Sequence, residues 1–420
     1  MTPFRAQPVS TGEKRVLREL AKAVAEIAAR PEQEEKRRIW YAQNSLKPVR
    51  PPVFCLPEGS WVELLPEDAL SCESEQARGV EWDLRQRVYA AEHFRDDWLC
   101  DAVYRVSPVV HQTGWGLCPE YVRSDSERGA YTWESPIKTR ADLEKLQTPR
   151  VVVDWDATHE WLGFYQELLD DTLQVEIHGT LWWTLGLIDQ WVLLRGLNQT
   201  FLDMRDDPEL VHAGMRRLME GTLVWLDSLE SQGLLSLNNG NDLMASSNFG
   251  FTRELPAPGF DGHVRPIDLW GYAEAQAFAL VSPAMHEEFV LQYQVPVLDR
   301  FGLNIYGCCE ALHHKLDMLK RSVPRLRRVA ISPWADKRIS AEQLGPDYIY
   351  CWKPNPAELA AVDFSCERVR QDIRETIEIT REHGCVLEVI LQDTHTCNNQ
   401  PWRFDEWTRI AMEEVMREWG

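Results

Sequence analysis

The chain has 420 residues, 44% hydrophobic and 26% charged, with 23 Gly and 24 Pro; this globular composition excludes collagen, a coiled coil and a disordered chain. Its 45 basic and 66 acidic residues leave a formal net charge of −21, and so acidic a surface repels phosphate backbones and anionic lipid, which argues against a nucleic-acid or membrane partner. At roughly 100–200 residues per domain, the length allows two or three small domains or one large barrel with an appendage.

The first helix is announced by Ser10 and Glu13 at capping-box spacing. Val16, Leu17, Leu20, Val24 and Ile27 follow at helical intervals, and Pro31 comes after the end. Pro48, Pro51, Pro52 and Pro57 lead into residues 53–64, which read as an extended segment. Residues 1–100 are expected to be a helical and loop cap on a larger domain at 101–420. Residues 1–40 contain no uninterrupted apolar run and no 18-residue apolar stretch occurs elsewhere. A cytoplasmic location is therefore expected, with the ten Cys as thiols or metal ligands instead of disulfides.

From about residue 104, short apolar runs at 106–111, 173–178, 234–238, 303–308, 328–332, 348–351 and 386–391 read as strands. Helical patterns lie between most of them: one opens at Asp207-Pro208, one at Ser282-Pro283, and one is capped by Ser365 and stops at Gly384. Seven strands alternating with helices fit an α/β fold of the (β/α)8 TIM barrel type with an N-terminal extension, the eighth strand being sought at 276–280. No GxGxxG follows a strand and no GxxxxGK[ST] occurs, so there is no nucleotide-binding fingerprint.

In such a barrel the chemistry sits at the carboxyl ends of the strands. Those ends carry Glu176 and His178; Asn238, Asn241 and Asp242; Tyr306, Cys308, Cys309 and Glu310; Trp334 and Asp336; Trp352 and Lys353; and Gln392, Asp393, His395 and Cys397. Cys308, Cys309 and Cys397 could meet above the axis and, with an imidazole or carboxylate, hold zinc; the alternative is that they are small buried residues. His178 stands between a ligand and a hydrogen-bonded core histidine, and His313-His314 read as helix surface. Asp242, Asp336 and Lys353 could orient substrate or serve as caps and ion-pair partners. The 18 Trp are roughly three times the usual number for this length. They suit either a Trp-rich core or a cleft for a flat ligand, and Trp115, Trp182, Trp183, Trp334 and Trp352 fall near the expected rim.

Several stretches resemble the uroporphyrinogen decarboxylase superfamily in the right order. They are His178-Gly179-Thr180 with Leu185-Gly186 and 201–204, Asp207-Pro208-Glu209-Leu210-Val211, Ser282-Pro283 with Glu287, Phe289 and Pro296, Ile331-Ser332-Pro333 with Ala335-Asp336, and Lys353-Pro354-Asn355-Pro356. The decarboxylases' R-Q-A-G-R-Y segment has only a superficial echo at Arg85-Gln86-Arg87-Val88-Tyr89, so the resemblance points to the corrinoid-dependent methyltransferase branch. It implies transfer of a methyl group from a small substrate, for instance a methoxy-aromatic ring, to the cobalamin of a separate corrinoid protein, with a homodimer left open. It also implies a zinc bound by Cys308 and Cys397. The family histidine is replaced by Tyr306, so Glu310, His178 or His395 would complete the ligand set. Tyr306, Asp242 and Lys353 are the expected catalytic residues, and Trp115, Trp182, Asn241, Trp334, Trp352 and His395 the expected substrate contacts. The alternatives are a metal-free lyase of the same superfamily, using Asp242 or Lys353, and a non-catalytic ligand-binding barrel.

Overall fold

The computed structural model describes residues 8–125, 129–169, 171–179, 184–245 and 248–419. The first helix spans Thr11–Ala28 with the expected capping box, and buries Leu17, Ala21, Val24 and Ile27 against the helices Glu75–His93 and Trp155–Leu169. Pro31 opens a second helix, Pro31–Asn44, as well as ending the first; its missing N–H costs nothing at a helix start.

The strands are β1 (Val53–Cys55), β2 (Val103–Val106), β3 (Val109–Gln112), β4 (Glu120–Arg123), β5 (Tyr131–Glu134), β6 (Val151–Asp154), β7 (Gln174–Ile177), β8 (Leu243–Met244), β9 (Asn248–Phe249), β10 (Trp270–Ala273), β11 (Leu303–Tyr306), β12 (Leu326–Ile331), β13 (Ile349–Trp352) and β14 (Val386–Leu391). Six of them form one parallel sheet in the order β1-β14-β13-β12-β11-β10. β10 to β13 are each followed by helical segments that return the chain to the next strand, the connection parallel pairing requires. The helix Trp402–Trp419 follows β14 and packs beside β1. β2 and β7 make a separate parallel pair, and β3–β6, β4–β5 and β8–β9 are antiparallel.

The expected strand at 234–238 joins no ladder. It lies between β7 and β10 and is held by side chains: Gly179 N donates to Ser236 Oγ at 2.6 Å, and the Asn238 amide exchanges bonds with Trp270 O (3.1 Å) and Trp270 N (2.9 Å). Among the described residues, the ladders give an α/β architecture with a six-stranded parallel sheet; they do not close into a (β/α)8 barrel.

Three boundaries differ from the sequence reading. The strand sought at 276–280 is β10, and Gln276–Phe278 is one 3-10 turn. The run at 106–111 divides at Ser107-Pro108 into β2, paired with β7, and β3, which turns outward to β6. β1, within the expected cap, is an edge strand of the main sheet.

Candidate active site

β11 is followed by Gly307, whose φ of 93° lies in the left-handed region; a Cβ there would stand 2.4 Å from Leu312 Cδ1. Only glycine makes this turn without strain, and it delivers Cys308 and Cys309 to the carboxyl end of the sheet. Glu310 then accepts from Ala275 N and Cys308 N, each at 2.9 Å, tying the ends of β10 and β11 together. Burial pushes its carboxyl pKa up, against those N–H bonds and the charge of Lys315.

The Cys308 and Cys309 sulfurs are 3.5 Å apart. Gln392 Nε2 reaches Cys308 Sγ at 3.8 Å, while Lys353 Nζ donates to Gln392 Oε1 at 2.9 Å. The Cys308 thiol is shifted down, first by the hydrogen bond from Cys309 and then by the Lys353 charge and Tyr272, against burial and Glu310. Cys309 is shifted up by the neighbouring Cys308 sulfur, by burial and by Asp393. It therefore keeps its proton, which lies between Cys308 and Asp393 Oδ2, 2.8 Å away. Cys308 is the more acidic thiol of the pair. Asp393 (φ 58°) and Glu58 (φ 45°) are both left-handed without being glycine, and they neighbour each other across the ends of β14 and β1. Burial and the Asp393 charge raise the Glu58 carboxyl. Such backbone strain concentrates at functional sites.

At the end of β10, Glu274 accepts from Thr184 Oγ1 (3.1 Å) and Gln276 N (2.8 Å). Burial, with the charges of Asp189 and Glu310, pushes its pKa up to about 9. Burial also raises Asp189, but its hydrogen bond with Glu274 opposes that shift; Glu274 holds the proton and Asp189 accepts it.

A third group surrounds β2 and β7. His178 Nε2 lies 3.2 Å from Asp242 Oδ1, and Arg105 Nε 3.7 Å from the same oxygen; Arg105 Nη2 pairs with Asp101 at 2.9 Å. Burial lowers the His178 pKa and raises that of Asp242, each against the attraction of the other. Beside them is a cavity of about 280 Å³ lined by Arg87, Asp101, Arg105 and Asn241, with Trp61 and Trp98 on its apolar side. Asn241 Nδ2 donates to Leu99 O at 3.1 Å, whereas Asn241 Oδ1 and Arg105 Nε are buried without a hydrogen-bond partner. These two atoms are covered, and Arg105 Nε faces the carboxylates of Asp242 (3.7 Å) and Glu176 (3.9 Å), so the cavity presents two guanidinium side chains and an amide beside aromatic walls.

The expected zinc ligands are not brought together. Cys397 Sγ is 3.1 Å from Glu63 Oε2, and burial with that carboxylate pushes its pKa up to about 12. Both Glu310 oxygens accept backbone N–H groups, and His178 faces Asp242. Among the described residues, no three His, Cys, Asp or Glu side chains form a group able to hold a metal. These residues do not fit the zinc that the resemblance implies.

Several other candidates lie elsewhere. Tyr306 is fully buried and points to the helical layer, opposite to Ile305, because side chains alternate along a strand. Its hydroxyl donates to Gln294 Oε1 (2.7 Å) and so accepts from His286 Nε2 (2.8 Å). Trp352 also faces the helical layer and is buried, with Lys337 Nζ 5.1 Å from its ring centroid. Trp115 packs against Gly221, where a Cβ would meet its ring at 2.5 Å. Trp334 is 67% exposed. Asp336 caps the helix Lys337–Leu344. His313 and His314 fall in a turn before the helix Leu316–Ser322, with ring centroids 3.9 Å apart. Thr180, Trp182 and Trp183 lie outside the described residues. His395, Lys353 and Asp393 each act on the Glu58 carboxyl. Glu274, Asp189, Arg105 and Glu58 were not singled out from the sequence. For Glu274, the missing signal was β10 itself, a four-residue run interrupted by Gly271.

No protein-family model matches the chain, and no curated protein matches it. Among solved structures, it is similar to a methyltransferase from Methanosarcina mazei at 10% identity and a TM-score of 0.48, over 91% of this chain and 98% of that one.

Proposed function

We propose that the chain is an enzyme that moves a methyl group from a small methylated substrate, such as a methoxy-aromatic ring, to a separate corrinoid protein. The observation that carries this reading is the gathering of an acidified thiol, a lysine and the raised Glu274 carboxyl at the carboxyl ends of β10, β11, β13 and β14. A polar-ended, aromatic-walled cavity lies at the end of β1 in the same sheet. The cavity volume of about 280 Å³ suits a single substituted ring. The Arg87 and Arg105 side chains of the lining would stabilise the oxygen that gains charge as its bond to the methyl carbon breaks, and Asn241 would orient the ring. Asp242 and Asp101 position the Arg105 guanidinium. The corrinoid, carried by its own protein, supplies the nucleophile that takes the methyl group. No step is assigned to zinc.

The metal-free lyase is the second reading, favoured by Arg87 and Arg105 together in one cavity wall, an arrangement suited to a substrate carboxylate. One assay separates the two. The purified chain is incubated with reduced corrinoid protein and a panel of methoxy-aromatic and methylamine compounds while the cobalt spectrum and released carbon dioxide are followed. A substrate-dependent change of the cobalt spectrum supports methyl transfer. Carbon dioxide release from carboxylated compounds without corrinoid replaces it with the lyase.

A further inference from the structure

Cys308 and Cys309 are the only cysteines adjacent in sequence, and their sulfurs face each other at 3.5 Å instead of pointing apart. That separation is one that a single bridging atom can span. The Gly307 turn and the Glu310 carboxylate, bonded to Cys308 N, fix the backbone that presents the pair. Cys309 is partly open to solvent while Cys308 lies behind it, so an incoming atom meets Cys309 first. Asp393 Oδ2, 2.8 Å from Cys309 Sγ, is placed to take its proton, and Gln392 Nε2 with the Lys353 ammonium behind it supports charge on Cys308.

Beside the two thiols stands Asp393, which accepts the Cys309 proton; among the described residues no group of three His, Cys, Asp or Glu side chains able to hold a metal occurs. A ligand demanding three or four protein donors is therefore not matched, whereas monosubstituted arsenic(III) needs two thiols and brings its own carbon.

We propose that Cys308 and Cys309 form a chelating site for a monosubstituted trivalent arsenical. The step is a condensation. Two As–S bonds form, the arsenic–oxygen bond breaks, and both thiol protons leave with that oxygen as one water, the Cys309 proton passing by way of Asp393. Arsenic stays trivalent, the sulfurs are not oxidised, and no further reactant is needed. The proposal does not depend on methyl transfer, and its test reads binding alone.

The test adds phenylarsine oxide to the full chain and follows intact mass, alkylation of each cysteine by peptide mapping, and reversal by a small dithiol. The expected result is one phenylarsine per chain, with Cys308 and Cys309 protected together from alkylation, released by a dithiol and not by a monothiol. Cys309→Ser, at the more open position, should weaken binding at least tenfold while its thermal melt stays that of the parent. Cys397→Ala should bind as the parent does. Unchanged binding by Cys309→Ser, or protection of cysteines other than this pair, overturns the proposal.

Discussion

Lys353 Nζ and Gln392 Oε1 are 2.9 Å apart, and the other end of the same amide reaches the Cys308 sulfur at 3.8 Å. An ammonium on β13's carboxyl end thus acts on a thiol on β11's through a residue on β14's. Replacing Lys353 by Met removes a charge that lowers the Cys308 pKa. The pH midpoint of Cys308 alkylation should move up, and the rate at neutral pH should fall severalfold. An unchanged alkylation profile would leave the hydrogen bonds from Cys309 and Tyr272 as what lowers the Cys308 pKa.

Glu274 is raised from 4.5 to about 9, with burial as the largest cause. Because the folded state holds this proton more tightly than the unfolded chain, its contribution is complete below pH 4.5 and is lost as pH rises toward 9. Glu274→Gln keeps a neutral group of the same shape. Its melting temperature relative to the parent should therefore rise progressively between pH 5 and 9. Parallel pH curves for the two proteins would contradict the assignment of the proton to Glu274.

Tyr306 is a structural prediction in the opposite sense to its place in the sequence motif. Its hydroxyl bridges His286 and Gln294, and Gln294 in turn donates to Gly186 O at 2.6 Å and Glu274 O at 2.9 Å. Tyr306→Phe leaves buried partners unsatisfied and should lower stability by about 1–3 kcal/mol. Turnover by the folded variant should stay within about twofold of the parent. Loss of turnover at unchanged stability in urea unfolding would return Tyr306 to the reacting centre.

Arg328 on β12 and Glu388 on β14 form an ion pair at 2.8 Å with both side chains at 0% exposure. Asn44, at the end of the second helix, joins it through Arg328 Nη2 at 2.5 Å, so the pair pins the N-terminal helices to the sheet. Glu388→Leu strands a buried guanidinium and should cost roughly 3–5 kcal/mol in equilibrium unfolding. A loss under about 1 kcal/mol would mean that the charge is solvated in a way the packing does not suggest.

The parallel sheet was legible where strands are mainly apolar: β14 matches the expected 386–391 run, and β11, β12 and β13 lie within two residues of theirs. The reason is physical, since strands covered on both faces read as continuous hydrophobic runs. The helix signals at Ser10, Pro208, Ser282 and Ser365 also held, because caps are local chemistry. β1 and β10 were harder to read: each is four residues or fewer, and their place in the sheet comes from partners hundreds of residues away or across a loop. In the site, the Cys308, Lys353 and His178 positions were legible as strand ends, whereas Asp242 follows a segment that joins no ladder. Which face a strand residue presents was not, and this moved Tyr306 and Trp352 into the core. The partner of Cys397 was hidden for another reason: Glu63 is 334 residues away in sequence.

The proposed methyl transfer assigns the Cys308 and Arg105 neighbourhoods to one reaction. The direct measurement is the initial rate of the cobalt spectral change with reduced corrinoid protein and a methoxy-aromatic substrate, for the parent, Cys308→Ala and Asn241→Ala, each checked for parental melting. The account predicts a substrate-dependent rate in the parent, at least tenfold loss of kcat in Cys308→Ala, and a raised KM with little change of kcat in Asn241→Ala. A parent without any substrate-dependent change across the panel, or a Cys308→Ala variant as fast as the parent, would contradict it.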